Sequence, residues 1–185
     1  DKKEFTFYDN VFCVKPRSAR YLLKSEGVIR QYHSLEHDAK KTHLIKQRAS
    51  DAHLMRTNNG EGDIYKTTLL VKMLCIAVNK ISSLDPFGIG IEMEADKPGW
   101  CDSMNGLPGL CGSSTPEVFE LKRHVVFILD SLKKLNIDDC YDVNLPEEVR
   151  DFIKNLENII KEKGDDFYYW DKSNSLKEEY RYKIK

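Results

Sequence analysis

Leu69-Leu70-Val71-Lys72-Met73-Leu74-Cys75-Ile76-Ala77-Val78 decides the fold class: ten residues with one charge and no glycine or proline. Within a span from Ile64 to Leu84 it predicts a helix that is apolar nearly all round, and such a helix packs on several sides. The uncharged run falls short of the roughly 20 residues a bilayer requires, because Lys72 interrupts it. Before it, Asn58-Asn59-Gly60-Glu61-Gly62-Asp63 reads as a turn cluster, with Asp63 expected to cap the helix. After it, Asp85-Pro86 stops the helix.

Working outward, Thr115-Pro116-Glu117 combines a hydroxyl cap, a ring that fixes φ and an acid near the positive helix end. Val118, Leu121, Val125, Ile128, Leu132 and Leu135 follow at three- and four-residue spacing, so a helix from Pro116 to Asn136 buries one face. Asn144 with Glu147 predicts a cap pair opening another helix, with Val149, Phe152, Ile153, Leu156, Ile159 and Ile160 on one side and an end near Gly164. Phe167-Tyr168-Tyr169-Trp170 and the residues after Ser175 suggest a last helix. On the N-terminal side, Val28 to about Met55 reads as a polar helix with a thin stripe at Leu35, Ala39, Leu44, Ile45, Ala49 and Ala52. Residues 1–27, with Phe5-Thr6-Phe7-Tyr8, Val11-Phe12-Cys13-Val14 and Pro16, are expected to be extended or irregular. The fold class is therefore all-α, built of helical hairpins over residues 28–185 behind an irregular N-terminal segment.

Composition narrows the function. A 185-residue chain with 41% hydrophobic residues is long enough for a core of its own. With 29 basic against 30 acidic residues, nothing in the balance asks for nucleic acid or an anionic membrane surface, and neither is expected as a partner. Five widely spaced cysteines, with no C-x-x-C pair, fit a reduced setting, so a cytoplasmic protein is expected. The chain opens Asp1-Lys2-Lys3-Glu4 and stops at Lys185, which reads as a piece of a longer parent chain. The rest of that parent is an expected partner, and self-association is a second.

The chemistry is expected in Lys97-Pro98-Gly99-Trp100-Cys101-Asp102-Ser103-Met104-Asn105-Gly106-Leu107-Pro108-Gly109-Leu110-Cys111-Gly112. It is too rich in Gly and Pro for helix and too apolar for a disordered linker. A long stretch of this kind between helices is usually functional. Asp102 stands between Trp100 and Met104, and apolar neighbours raise a carboxyl pKa and suit it to general acid work.

Trp100-Cys101-Asp102-Ser103-Met104-Asn105 resembles the Trp-Asn-Asp-Gly-Met-Asn signature of the cellobiose and chitobiose phosphorylases, inverting disaccharide phosphorylases of the six-hairpin glycosidase superfamily. Four of the six positions are identical; Cys101 stands where the signature has Asn and Ser103 where it has Gly. Gly90-Ile91-Glu92-Met93-Glu94-Ala95-Asp96 and Leu107-Pro108-Gly109-Leu110 extend the likeness, which is strongest from about Asn58 to Leu129. The resemblance implies part of an (α/α)6 toroid, about half of one at most, so the isolated chain is expected to be inactive. It also implies Asp102 as the proton donor in cleavage of a β-glucosidic bond. The substrate would be a disaccharide or oligosaccharide, with inorganic phosphate as co-substrate and no cofactor. Trp100 would face the pyranose ring, and Asn105 would hydrogen-bond a sugar hydroxyl or hold the loop. Glu92, Glu94, Asp96 and Glu120 are the nearby acids in sequence, with no order among them as a second carboxylate, and Glu92 and Glu94 are expected to contact substrate. In inverting cleavage one carboxylic acid protonates the departing oxygen as the nucleophile enters from the opposite face; when phosphate attacks, no protein base is required. A hydrolase would instead place a second carboxylate roughly 6.5 to 9.5 Å away.

Other classes compete. A helical binding or scaffold module without catalysis fits the same helices. His33-Ser34-Leu35-Glu36-His37 matches the H-x-x-E-H pattern, in which two histidines on one helix face hold zinc and the glutamate is the base. The chain offers no obvious third ligand, and no metal is expected. His43, His53 and His124 are expected to face solvent or meet local hydrogen bonds, and Cys75 to lie in the core. Gly112-Ser113-Ser114 before a helix start can hold an anion on backbone N–H groups, although serines there more often cap. Lys40, Lys41, Lys46, Arg48 and Arg56 read as a solvated helix face.

Overall fold

A computed structural model describes residues 3–23, 29–31, 35–85, 87–92, 113–138 and 140–184. They form a mostly helical protein decorated by short antiparallel ribbons. In chain order the elements are β1 (Phe5–Thr6), β2 (Phe12–Val14), α1 (Arg17–Arg20), β3 (Tyr21–Leu23), β4 (Ile29–Gln31), β5 (Leu35–His37), α2 (Ala39–Gln47), β6 (Lys66–Thr67), α3 (Leu69–Ser82), β7 (Ile91–Glu92), β8 (Ser113–Ser114), α4 (Thr115–Lys134), α5 (Glu147–Lys161) and α6 (Asp166–Lys183).

The apolar run is α3, and it is the centre of the core. Val71, Cys75 and Val78 are buried together with Val149 and Phe152 of α5 and Leu176 and Tyr180 of α6. The spacing, four then three residues in α3, three in α5 and four in α6, keeps these side chains on one face of each helix. The Phe152 and Tyr180 rings lie 4.9 Å apart between centroids. The Tyr180 hydroxyl donates to Asn79 Oδ1 at 2.6 Å, which satisfies a phenol that the core would otherwise leave unpaired. From the N-terminal segment, Phe7 packs on the same cluster, and Lys72 crosses to Thr6 O at 2.7 Å. The one charge in the apolar run thus ends on a backbone carbonyl. Against α3, α4 turns Ile128 into the interior, His124 Nε2 meets Met73 O at 3.0 Å, and Lys80 pairs with Glu117.

Several expectations are corrected at the level of local structure. The helix expected from Val28 to Met55 survives only as α2, capped by Asp38, which accepts from Lys41 N at 2.8 Å. Upstream, Leu35–His37 is strand instead, paired antiparallel with Phe12–Val14, and Ile29–Gln31 pairs with Tyr21–Leu23. The thin apolar stripe had nothing to bury as a helix, and ribbon pairing satisfies its backbone instead. Helix α3 begins at Leu69, not Ile64, because Lys66–Thr67 is drawn into pairing with β1. Its cap is Thr68, which accepts from Val71 N at 3.3 Å, and not Asp63. Ser114 takes the cap position of α4 and Pro146 that of α5, neither with a side-chain cap bond, so Thr115 and Asn144 do not cap. In α5, Phe152, Leu156 and Ile159 pack on the core while Ile160 remains largely exposed; Leu135, at the end of α4, is exposed too.

Arg48 is a further correction. Expected on a solvated face, it is buried: Nη1 reaches Asp9 Oδ2 at 2.6 Å and the carbonyls of Ala52 and Leu54, and Nη2 reaches Gly60 O at 2.9 Å. Four acceptors from three turns converge on one planar fork, a task that lysine's point charge does not perform. No described helix is long and apolar enough to cross a membrane.

Candidate functional site at the stem of residues 93–112

The segment carrying Trp100, Asp102 and Asn105, together with Glu94 and Asp96, lies outside the described residues. What is described is its stem. Glu92 and Ser113, the residues that flank it, are paired across the β7–β8 ribbon, as are Ile91 and Ser114. The residues on either side of it therefore lie next to one another.

The ribbon is seated by a turn that follows α3. Asp85 N donates to Gly90 O at 2.8 Å, and Glu92 N donates to Ser83 O at 2.7 Å. The buried Asp85 carboxylate accepts from Phe87 N, Ile89 N and Gly90 N at 2.9 to 3.1 Å. Burial alone would push this carboxyl up; the hydroxyl of Ser113 and the three backbone N–H groups outweigh it and hold the group below its usual range. Ser113 is thereby engaged with a carboxylate. Gly90 is required by space: a Cβ there would come within 2.9 Å of the Ser113 carbonyl carbon. On the other side of the turn, the buried ammonium of Lys177, from α6, lies 3.4 Å from Leu84 O and 3.3 Å from Asp85 O.

Beside this turn stands a network of four charges. Arg20, at the end of α1, has a fully inaccessible side chain; its Nη1 lies 3.4 Å from Glu92 Oε2 and its Nη2 3.5 Å from Glu178 Oε1. Its Nε donates to Lys15 O at 2.6 Å. Arg181 repeats the arrangement, 3.5 Å from Glu92 and 3.3 Å from Glu178. Among the described residues, two arginines thus face two glutamates. Ion pairs reaching a buried guanidinium locate chain segments relative to one another. This arrangement ties α1, the β7 edge of the stem and α6 together.

Of the acids expected near the substrate, the structure therefore places Glu92 between two guanidinium groups, at the edge of the ribbon. Glu120 lies apart, on the exposed side of α4, paired with Arg123 at 2.8 Å. The zinc alternative assumed one helix face for its ligands, and no helix forms at Glu36 and His37. His33 lies outside the described residues, and Glu36 and His37 sit on a strand, where neighbours point to opposite faces. The His37 ring packs on Phe12 and its Nε2 meets Thr42 Oγ1 at 3.0 Å. Among the described residues, no group of three His, Cys, Asp or Glu side chains is placed to hold a metal ion. His43 meets Gln47, and Cys75 lies in the core as expected.

Arg20, Asp85, Lys177, Glu178 and Arg181 were not legible as site residues. Asp85 carried a signal, since an Asp before Pro-Phe-Gly suits a side chain that accepts from its own turn. Arg20 carried none: its partners are 72 and 158 positions away along the chain. Compared with family models, curated proteins and solved structures, the chain matches none.

Proposed function

We propose that this chain is part of the helical catalytic domain of an inverting carbohydrate-active enzyme that cleaves a β-glucosidic bond by phosphorolysis, with Asp102 as proton donor. The reading rests on the Trp100 to Asn105 signature and on one structural observation. The two flanks of the segment that carries it are paired at Glu92 and Ser113 and anchored by buried charges. A functional loop on a rigid scaffold has this construction. In the proposed reaction the Asp102 carboxylic acid gives its proton to the glycosidic oxygen as that bond breaks, and phosphate forms the new bond at the anomeric carbon with inversion. Trp100 stacks on the sugar and Asn105 holds a hydroxyl or the loop. Glu94 lies close by, and Glu92 keeps the stem in place. The described helices would be one part of an (α/α)6 toroid completed by other segments of a cytoplasmic parent protein.

The test is Asp102→Asn in the full-length enzyme, followed by phosphate-dependent release of sugar 1-phosphate from cellobiose and laminaribiose. Turnover is expected to fall about 10²- to 10⁴-fold with an unchanged circular dichroism spectrum. A glycosyl fluoride, whose leaving group needs no proton, should be spared. Near-normal disaccharide turnover would falsify the assignment. The exposed apolar side chains of α4 favour a second reading, a non-catalytic helical binding module. Titration calorimetry with the same sugars and with phosphate separates the two, because absence of binding leaves only the module.

A further inference from the structure

Helix α4 has two unlike sides. Val118, Leu121, Val125, Ile128 and Leu132 are buried or half-buried against the domain, while Phe119, Val126 and Phe127 on the other side are 66, 46 and 60% exposed, with Leu129 on the flank. Apolar side chains grouped in this way mark an interaction surface more often than isolated ones do. Around them, on the same exposed side, stand Glu120, Arg123, Asp130, Lys133 and Lys134.

The order of these charges selects the occupant. We infer that this face pairs with the same face of a second copy, the two α4 helices running antiparallel about a two-fold axis that passes between Val126 and Phe127. Residues equally far from the axis then meet. Arg123 faces the partner's Asp130, and Asp130 the partner's Arg123. Glu120, three residues further out, comes level with the partner's Lys133 and Lys134. At the centre Val126 meets the partner's Phe127 and Phe127 the partner's Val126, and Phe119 lies over the aliphatic stems of the terminal lysines. A parallel pairing would set Arg123 on Arg123 and Lys133 on Lys133, so charge rejects it. The self-complementary patch is what a two-fold interface requires. In the single chain, Arg123 spends its charge on Glu120, three residues back, with both side chains mostly exposed. Such a pair exchanges partners at little cost.

Sedimentation equilibrium of the 185-residue chain tests the pairing. A monomer–dimer equilibrium with a Kd of roughly 1–100 μM is expected of an interface made by one helix from each copy. Asp130→Arg puts like charges at both symmetric positions and should weaken the dimer by about tenfold. Adding Arg123→Asp to it restores opposite signs and should bring the Kd back to within about threefold of the original. Both variants lie on the exposed face, and circular dichroism verifies that the helices persist. A chain that stays monomeric at all concentrations overturns the inference and leaves the face to another segment of the parent protein. A dimer that ignores the charge reversal, or that the charge swap does not rescue, overturns it too.

Discussion

Replacing Arg20 by Met keeps most of the aliphatic stem and removes the guanidinium from the interior. Breaking one partner out of a buried pair costs about 3–5 kcal/mol, because the remaining charge loses its compensation. Two features of this network lower that figure. Arg181 still stands 3.5 Å from Glu92 and 3.3 Å from Glu178, and the Glu178 side chain is 29% accessible, so water shares the remaining charge. One feature raises it, since the Lys15 carbonyl loses a donor at 2.6 Å, worth about 1 kcal/mol. Together these give a loss of about 3 kcal/mol, a large share of the 5–15 kcal/mol typical of a domain. Urea unfolding followed by far-UV circular dichroism reads the loss as a lower midpoint with an unchanged slope, since the same core is exposed. A double-mutant cycle with Glu92→Gln should return a coupling of about 1–2 kcal/mol. Amide exchange at Glu92, whose N–H is held by Ser83 O at 2.7 Å, should quicken as the stem loosens. A loss below about 1 kcal/mol with no coupling would refute the argument, since the guanidinium would then be held by its backbone contact alone.

The Asp85 turn makes a pH prediction. Its carboxyl is held below the ordinary value of 3.8, so the group favours the folded state above that value and loses its contribution as pH falls through the lower folded value. Asp85→Asn should therefore cost about 1–2 kcal/mol at neutral pH, and the gap to the parent should close as the solution is acidified below about pH 4; a gap independent of pH would remove the carboxylate from the account. Burial pushes the Cys75 thiol up to about 11, whereas Cys140 is exposed. At pH 8 maleimide should modify Cys140 and spare Cys75 by about a thousandfold, with both labelled in urea; equal rates in the folded protein, read by peptide mass mapping, would place Cys75 in contact with solvent.

The helices were legible where the apolar spacing was strong. Val71, Cys75 and Val78 in α3, and Val149 and Phe152 in α5, stand in the core on the faces their periodicity assigns. Weak spacing misled. The stripe from Leu35 to Ala52 matched a helix on paper, yet Leu35–His37 pairs with Phe12–Val14, because a strand partner 23 residues upstream offered more than a helix without a surface to pack on. Caps moved by a few residues for a related reason. Once Lys66–Thr67 joins β1, the first free hydroxyl is Thr68, and the helix can start only there.

Local patterning by itself determined that this chain is mostly helical and which faces of its long helices turn inward. These properties depend on neighbours within one or two turns, and such neighbours are written next to one another. Only the tertiary structure decided which charges are buried, and with whom. Arg48 and Arg20 look like any surface arginine in the sequence, but one gathers Asp9 with three carbonyls and the other joins Glu92 to Glu178. The difference is physical: an arginine left in the interior needs acceptors, and those acceptors come from segments that only the packing of α3, α5 and α6 brings within reach.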